Sequence, residues 1–332
     1  MFESCIMAKI GLIGCGMWGN NLARNLVQLD ALVAVADRNA KAANEFASAF
    51  DVTAMSVDAL IEHMDIDGIV IATGASSHDE LALAGLIANK HIYIEKPLSL
   101  SLAGAHAIRD AAISAKRQVM VGHLIRYHSA FIELQKQLAG GAIGTLRHVQ
   151  ANRLAMGRIR TTESVLFDLC PHDLSLILAL IGDLPNKIHC VGASHMTPGV
   201  VDFLMSFLGF NGGVSAGMQT SWLSPFKEHR LTVTGNAGAL VFDDTKPWRQ
   251  KLTLFQDQLQ FNGEHFLINR ASPTYLPVIE AEPLKAEMRA FIQSCDNNSP
   301  TLTDINEAVA VQQILETLNN NLIDTSLKSK TR

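Results

Sequence analysis

The first third of the chain alternates short apolar runs with longer mixed stretches. Residues 9–13 (KIGLI), 32–36 (LVAVA), 68–72 (GIVIA), 91–95 (HIYIE) and 118–121 (QVMV) are nearly continuous in hydrophobic side chains. Runs of that length without polar alternation are the pattern of strands buried on both faces of a parallel sheet. Between the first two, Leu22, Leu26 and Leu29 recur at helical spacing, and residues 40–50, 57–63, 79–89 and a stretch after Ser101 also read as helices. Repeated strand–helix alternation predicts a doubly wound parallel sheet. The texture changes after His123. A helix over 130–138 leads into β-like runs at 147–154, 187–193, 201–207, 214–222, 231–234, 239–242 and 251–255, interrupted by a helix that starts at Pro171. These predict an open, mostly antiparallel sheet, and residues 283–294 and 303–322 are helical again. The expected division is residues 1–122 and 123–332, with a tight crossover near 121–125 and a terminal helix that can pack back on the first domain. No internal repeat, low-complexity tract or flexible linker interrupts this plan.

Composition narrows the class. A chain of 332 residues, 48% hydrophobic and 18% charged, can bury two sizeable cores. A net charge of −5 without a basic cluster argues against nucleic acid or an anionic membrane surface as partner. No apolar run reaches the length of a membrane span, and the N-terminus lacks the basic start and apolar stretch of a signal peptide. Cys5, Cys15, Cys170, Cys190 and Cys295 are dispersed, with neither CxxC nor metal-ligand spacing. Such a set reads as reduced thiols in a cytoplasmic protein, with no metal site. Met7 lies just before the first strand, so residues 1–6 read as a dispensable extension.

Candidate chemistry concentrates in two motifs, Gly14-Cys15-Gly16-Met17-Trp18-Gly19 and Glu95-Lys96-Pro97. The glycine motif follows a strand and opens a helix, so backbone N–H groups and the positive end of the helix dipole form a pyrophosphate site. The next strand ends at Asp37, placed to accept hydrogen bonds from the adenine ribose hydroxyls and to repel a 2′-phosphate, which favours NAD over NADP. Arg38 beside it can stack on adenine and soften that repulsion. Ligands of doubly wound sheets lie outside the carboxyl ends of the strands, so Thr73, His78, Glu95 and Lys96 border the same crevice. Trp18 is expected to pack against the first helix, with its backbone N–H in the phosphate turn.

Oxidising a secondary alcohol with a nicotinamide requires a base for the hydroxyl proton. His172 suits that role: Pro171 as first residue of a helix puts it in the first turn, where the dipole disfavours imidazolium. Asp168, four residues earlier, can orient the ring, and Lys96 can favour alkoxide character on the reacting oxygen. His123, Arg126, Arg153, Arg158 and Arg160 are further candidates for substrate contact, the last three as pyrophosphate partners.

The ordered set Gly14-x-Gly16-x-Trp18-Gly19-x-Asn21-x-x-Arg24-Asn25, Glu95-Lys96-Pro97, Gly122-His123 and Asp168-x-x-x-His172-Asp173 resembles the glucose–fructose oxidoreductase, inositol dehydrogenase and rhizopine-catabolism family, Gfo/Idh/MocA. The resemblance covers essentially the whole chain. It implies a Rossmann domain followed by an α/β domain whose open sheet commonly forms the oligomer interface, here a homodimer or homotetramer. It also implies NAD- or NADP-dependent chemistry on sugars or cyclitols, with Lys96, Asp168 and His172 in the roles given above. Trp18 and the segments Asn152-Arg153-x-x-x-Gly157-Arg158-Ile159-Arg160 and 167–173 look most like members acting on nucleotide-linked sugars. One departure is Thr73-Gly74, where the family usually has Thr-Pro. A free cyclitol or monosaccharide as substrate, and a non-catalytic dinucleotide-binding redox sensor, are the alternatives; retention of all three candidate catalytic groups favours an enzyme.

Overall fold

The structure, a computed structural model, describes residues 7–157 and 159–325. The proposed extension 1–6 with Cys5, and the candidate Arg158, lie outside the described residues. The chain forms two compact units: Met1–Tyr127 with Glu282–Gln313, and His128–Ala281 with Ile314–Arg332.

In the first unit, β1 (Ile10–Ile13), α1 (Met17–Val27), β2 (Leu32–Ala36), α2 (Ala40–Phe50), β3 (Thr53–Met55), α3 (Val57–Glu62), β4 (Gly68–Ile71), α4 (His78–Ile87), β5 (His91–Ile94), α5 (Leu102–Ala115) and β6 (Val119–Val121) follow one another. The strands form one parallel sheet in the order β3-β2-β1-β4-β5-β6, so the order reverses between β1 and β4. Every residue of β1, β4, β5 and β6 is buried, which is why these segments carry no polar alternation. Successive side chains serve opposite layers. Ile69, Ile71, Ile92 and Ile94 pack with Leu60, Leu86 and Ile108 on one face. Val70, Tyr93 and Met120 pack with Leu22, Leu26, Met288 and Phe291 on the other. The strand β3 was not expected; exposed Thr53 and half-buried Ala54 and Met55 carry no hydrophobic signature.

The second unit contains α6 (Ser129–Ala139), β7 (Leu146–Met156), α7 (Val165–Ile181), β8 (Lys187–Ala193), β9 (Phe203–Gly209), β10 (Ser215–Ser221), β11 (Leu223–Gly235), β12 (Ala239–Asp243), β13 (Leu252–Phe255), β14 (Gln258–Phe261), β15 (Phe266–Asn269) and β16 (Thr274–Tyr275). Then come α8 (Pro283–Asn297) in the first unit, α9 (Ile305–Asn321), which begins in the first unit and ends in the second, and β17 (Ile323–Asp324). The main sheet runs β16-β13-β12-β11-β7-β10-β9-β8-β17 and is mixed but mostly antiparallel, with β7–β10 and β8–β17 as its parallel pairs. The helix α7 covers one face, over β7, β9 and β10. Strands β14 and β15 form a separate hairpin. Among the described residues, no helix is long and apolar enough to cross a membrane.

One expectation is corrected. The helix does not start at Pro171 but at Val165, leaving Pro171 inside it. Leu166, Cys170, Leu174 and Ile177 make one buried stripe across the proline, so burial holds the helix together where its missing N–H removes one backbone bond. Upstream, the Val165 N–H donates to the Val201 carbonyl at 2.8 Å and fixes the helix start.

Candidate active site

The glycine turn at the end of β1 is built for close backbone approach. Gly14 has φ +111°, and a Cβ there would lie 2.6 Å from the Ala72 carbonyl oxygen. At Gly19 a Cβ would come within 2.0 Å of the Gly14 carbonyl oxygen, so the turn closes only with glycine. Gly16, by contrast, faces open space, and no side chain caps the N-terminus of α1. The first N–H groups of α1 are thus left to an external anion, which fits a pyrophosphate. Asp37 follows β2. Its Oδ2 accepts from the Cys15 N–H at 2.9 Å and its Oδ1 from the Asn39 N–H at 2.9 Å. Each carboxylate oxygen keeps further acceptor capacity for a ribose hydroxyl. Arg38 and Met17 are exposed. These residues fit a dinucleotide.

Trp18 is not packed away against α1: it is 38% exposed and its side chain hydrogen-bonds the Glu95 carboxyl. The glycine helix and the end of β5 are thereby tied together. A second tie runs from the loop after β4. Thr73 and Ser77 hydroxyls lie 2.8 Å apart, and Ser77 Oγ donates to the Gly74 carbonyl. His78, the first residue of α4, is 1% exposed, with Nδ1 2.8 Å from the Pro97 carbonyl oxygen and Nε2 3.3 Å from that of Thr73. Burial lowers its pKa below the ordinary value, while the hydrogen bonds to the Pro97 and Thr73 carbonyls oppose that shift. His78 therefore buckles the Thr73 loop to the Glu95-Lys96-Pro97 segment, whose Lys96–Pro97 bond is cis. Lys96 itself is half-buried.

In the second unit, Asp168 and His172 lie four residues apart on α7 and so share a helix face. Because α7 starts at Val165, His172 stands well inside the helix, beyond the reach of the first-turn dipole. Asp168 does stand in the first turn. Its Oδ1 accepts from Arg160 Nη2 at 2.9 Å and its Oδ2 from the Trp222 indole N–H at 3.1 Å. The hydrogen bond to Asp168 raises the Arg160 pKa above its ordinary value. Arg160 also meets Glu163 at 3.3 Å.

The remaining candidates are engaged within their own units. Arg153 is buried and forks onto Asp173, with N···O distances of 2.7–3.1 Å. His123 Nδ1 lies 2.8 Å from Glu307 Oε2, and Arg126 Nη1 lies 3.7 Å from Glu307 Oε1. Three partners escaped the sequence reading: Glu307, Trp222 and Glu287. Glu287 had a visible sign, since it interrupts the apolar stripe Leu284, Met288, Phe291 of α8. Among the described residues no group of three or more His, Cys, Asp or Glu is arranged to hold a metal ion.

Comparison with known proteins places this geometry. The family described as "Oxidoreductase family, NAD-binding Rossmann fold" matches residues 8–123, and the GFO/IDH/MocA C-terminal domain matches residues 131–241. UDP-N-acetylglucosamine 3-dehydrogenase of Acidithiobacillus ferrooxidans is 32% identical over 218 residues, 65% of this chain and 67% of that protein. A solved structure of that enzyme superposes with TM-score 0.84 at 25% identity, covering 95% of this chain and 97% of the other. Inositol 2-dehydrogenase of Rhizobium meliloti is 25% identical over 321 residues, 93% of this chain and 97% of the relative.

Proposed function

The chain belongs to the GFO/IDH/MocA family and is an NAD(P)-dependent oxidoreductase acting on CH–OH groups; from that premise we propose that its substrate is a nucleotide-linked sugar. The carrying observation is the similarity to the UDP-N-acetylglucosamine 3-dehydrogenase, which extends over nearly the full length of both chains.

Bound NAD supplies the hydride acceptor in the oxidation direction. The uncapped N-terminus of α1 with Gly14, Gly16 and Gly19 holds the pyrophosphate, and Asp37 takes the ribose hydroxyls and prefers NAD over NADP. His172 removes the hydroxyl proton of the substrate. Asp168, held by Arg160 and Trp222, stabilises the imidazolium that results. Lys96 holds alkoxide character on the reacting oxygen. The four described cysteines are free thiols, in keeping with a reducing, cytoplasmic setting.

A free cyclitol is the second reading, and a specific observation favours it. Arg153 and Arg160, cast as pyrophosphate partners, are both already paired to carboxylates. Rates of NADH formation with UDP-N-acetylglucosamine, UDP-glucose, free N-acetylglucosamine and myo-inositol separate the two. Faster turnover of a UDP-sugar than of its free sugar supports the proposal; myo-inositol as the best substrate overturns it.

For the assembly we infer an oligomer, and the exposed face of the second sheet supports that reading. Val191, Met205, Phe207 and Ile323 are 42–63% exposed on the neighbouring strands β8, β9 and β17, with Val191 opposite both Met205 and Ile323. This continuous apolar patch suits a second copy of the chain and supports the reading of a homodimer or a homotetramer.

A further inference from the structure

One buried cluster of ionisable groups has no part in the mechanism above. Tyr93 and Glu287 are 0% exposed and Glu95 is 9% exposed. The Tyr93 hydroxyl oxygen lies 2.8 Å from Glu95 Oε1 and 3.2 Å from Glu287 Oε2. A phenol has one proton and can donate to only one of them, so the other contact is favourable only if that carboxyl donates to the phenol oxygen. The shorter contact goes to Glu95, which also accepts from Trp18 and from the Lys96 backbone and sits beside the Lys96 ammonium. Burial raises the Glu95 pKa above its ordinary value, but these contacts oppose that rise. Glu287 has none of them except Tyr93, so the anion is favoured on Glu95 over Glu287. Glu287 is fully buried, and its Oε1 has no hydrogen-bonding partner among the described residues. A carbonyl-type oxygen tolerates that at far lower cost than a carboxylate does. Burial and the Glu95 charge push the Glu287 pKa well above its ordinary value, in the same sense. The space for the cluster is reserved as well: a Cβ on Gly122 would lie 2.6 Å from the Tyr93 hydroxyl and 3.0 Å from both Glu95 oxygens.

We propose that Glu287 is a protonated positioning residue for the reaction: it donates to Tyr93, Tyr93 donates to Glu95, and the fixed Glu95 carboxylate sets both Lys96 and, through Trp18, the glycine turn. The chain of donors runs in one direction, from a neutral acid on α8 to an anion next to Lys96. The positioning role rests on the reading of Lys96 as the group that faces the reacting oxygen.

The test compares Glu287→Gln, Glu287→Leu, Tyr93→Phe and Lys96→Ala with the unmodified protein. Infrared difference spectra at neutral pH, unmodified minus Glu287→Gln, should show a protonated-carboxyl C=O band; its absence overturns the proton assignment. The Gln amide keeps a donor for Tyr93, so Glu287→Gln should stay within about twofold of normal kcat. Glu287→Leu and Tyr93→Phe should lower kcat roughly tenfold, the weight of about one hydrogen bond to a charged group, with NADH affinity changing less. Should Glu287→Gln lose as much as Glu287→Leu, or Tyr93→Phe lose thermal stability but keep kcat, the positioning role is overturned. Undiminished turnover in Lys96→Ala removes the reading of Lys96 and the positioning role with it, while the infrared band reports separately on the proton.

Discussion

At the residue scale, the site depends on carboxylates whose partners differ sharply. Asp37 accepts two backbone N–H groups and ties the glycine turn to the end of β2. Asp168 is held by a guanidinium and an indole N–H, and Asp173 is spent on Arg153. The positions of the glycines, Asp37 and Lys96 at strand ends were legible in the sequence because backbone geometry and strand ends fix their spacing. The partners Trp222, Glu287 and Glu307 were not, because long-range pairing leaves no local pattern. Arg153 and Arg160 illustrate the same limit: sequence shows cations, and only the fold shows that carboxylates already hold them. A cofactor prediction belongs here. Asp37→Ser removes the repulsion of a 2′-phosphate while leaving Arg38 in place, so the ratio of NADH to NADPH affinity should fall. Fluorescence titration with both cofactors checks it, and tighter NADPH binding by the unmodified protein contradicts the role given to Asp37.

At the element scale, burial on two faces made the central strands of the parallel sheet plain, and helical spacing did the same for α1. The elements missed are those that burial does not mark. Strand β3 has three residues, and the first half of β11 carries exposed Pro225, Phe226 and Lys227, with its register shifting between Leu223 and Glu228. Pro171 misled because its preference for a helix start was outweighed by the buried stripe continuing through it. The second sheet leads to a prediction about assembly. Phe207 is 47% exposed on β9 in the apolar patch with Val191 and Met205. Phe207→Glu places a charge there, which an apolar interface cannot desolvate without cost. Light scattering at micromolar concentration should show the unmodified protein as an oligomer and the variant shifted towards monomer. An unmodified protein that is monomeric, or a variant with unchanged mass, contradicts an interface on this face.

At the scale of the whole molecule, stability on acidification is set partly by histidines that cannot charge in place. His91 is 3% exposed, and both ring nitrogens face donors, the Gln118 N–H at 3.1 Å and an Arg117 nitrogen at 3.2 Å. Burial, then Arg117, lowers its pKa from 6.5 to about 4. The unfolded chain therefore binds this proton first as pH falls, so His91 makes stability decrease as the pH drops from 6.5 to about 4. Thermal melts of His91→Gln should show a shallower fall of Tm over that window than the unmodified protein; parallel slopes contradict the assignment. The central claim is that this NAD(P)-dependent oxidoreductase uses His172 to take the substrate's hydroxyl proton. The most direct measurement is single-turnover NADH formation by His172→Ala on the best substrate, with NADH affinity measured alongside. General base catalysis supplies about a hundred- to ten-thousand-fold, so the rate should fall within that range while NADH affinity stays near that of the unmodified protein. A rate close to that of the unmodified protein would contradict the claim.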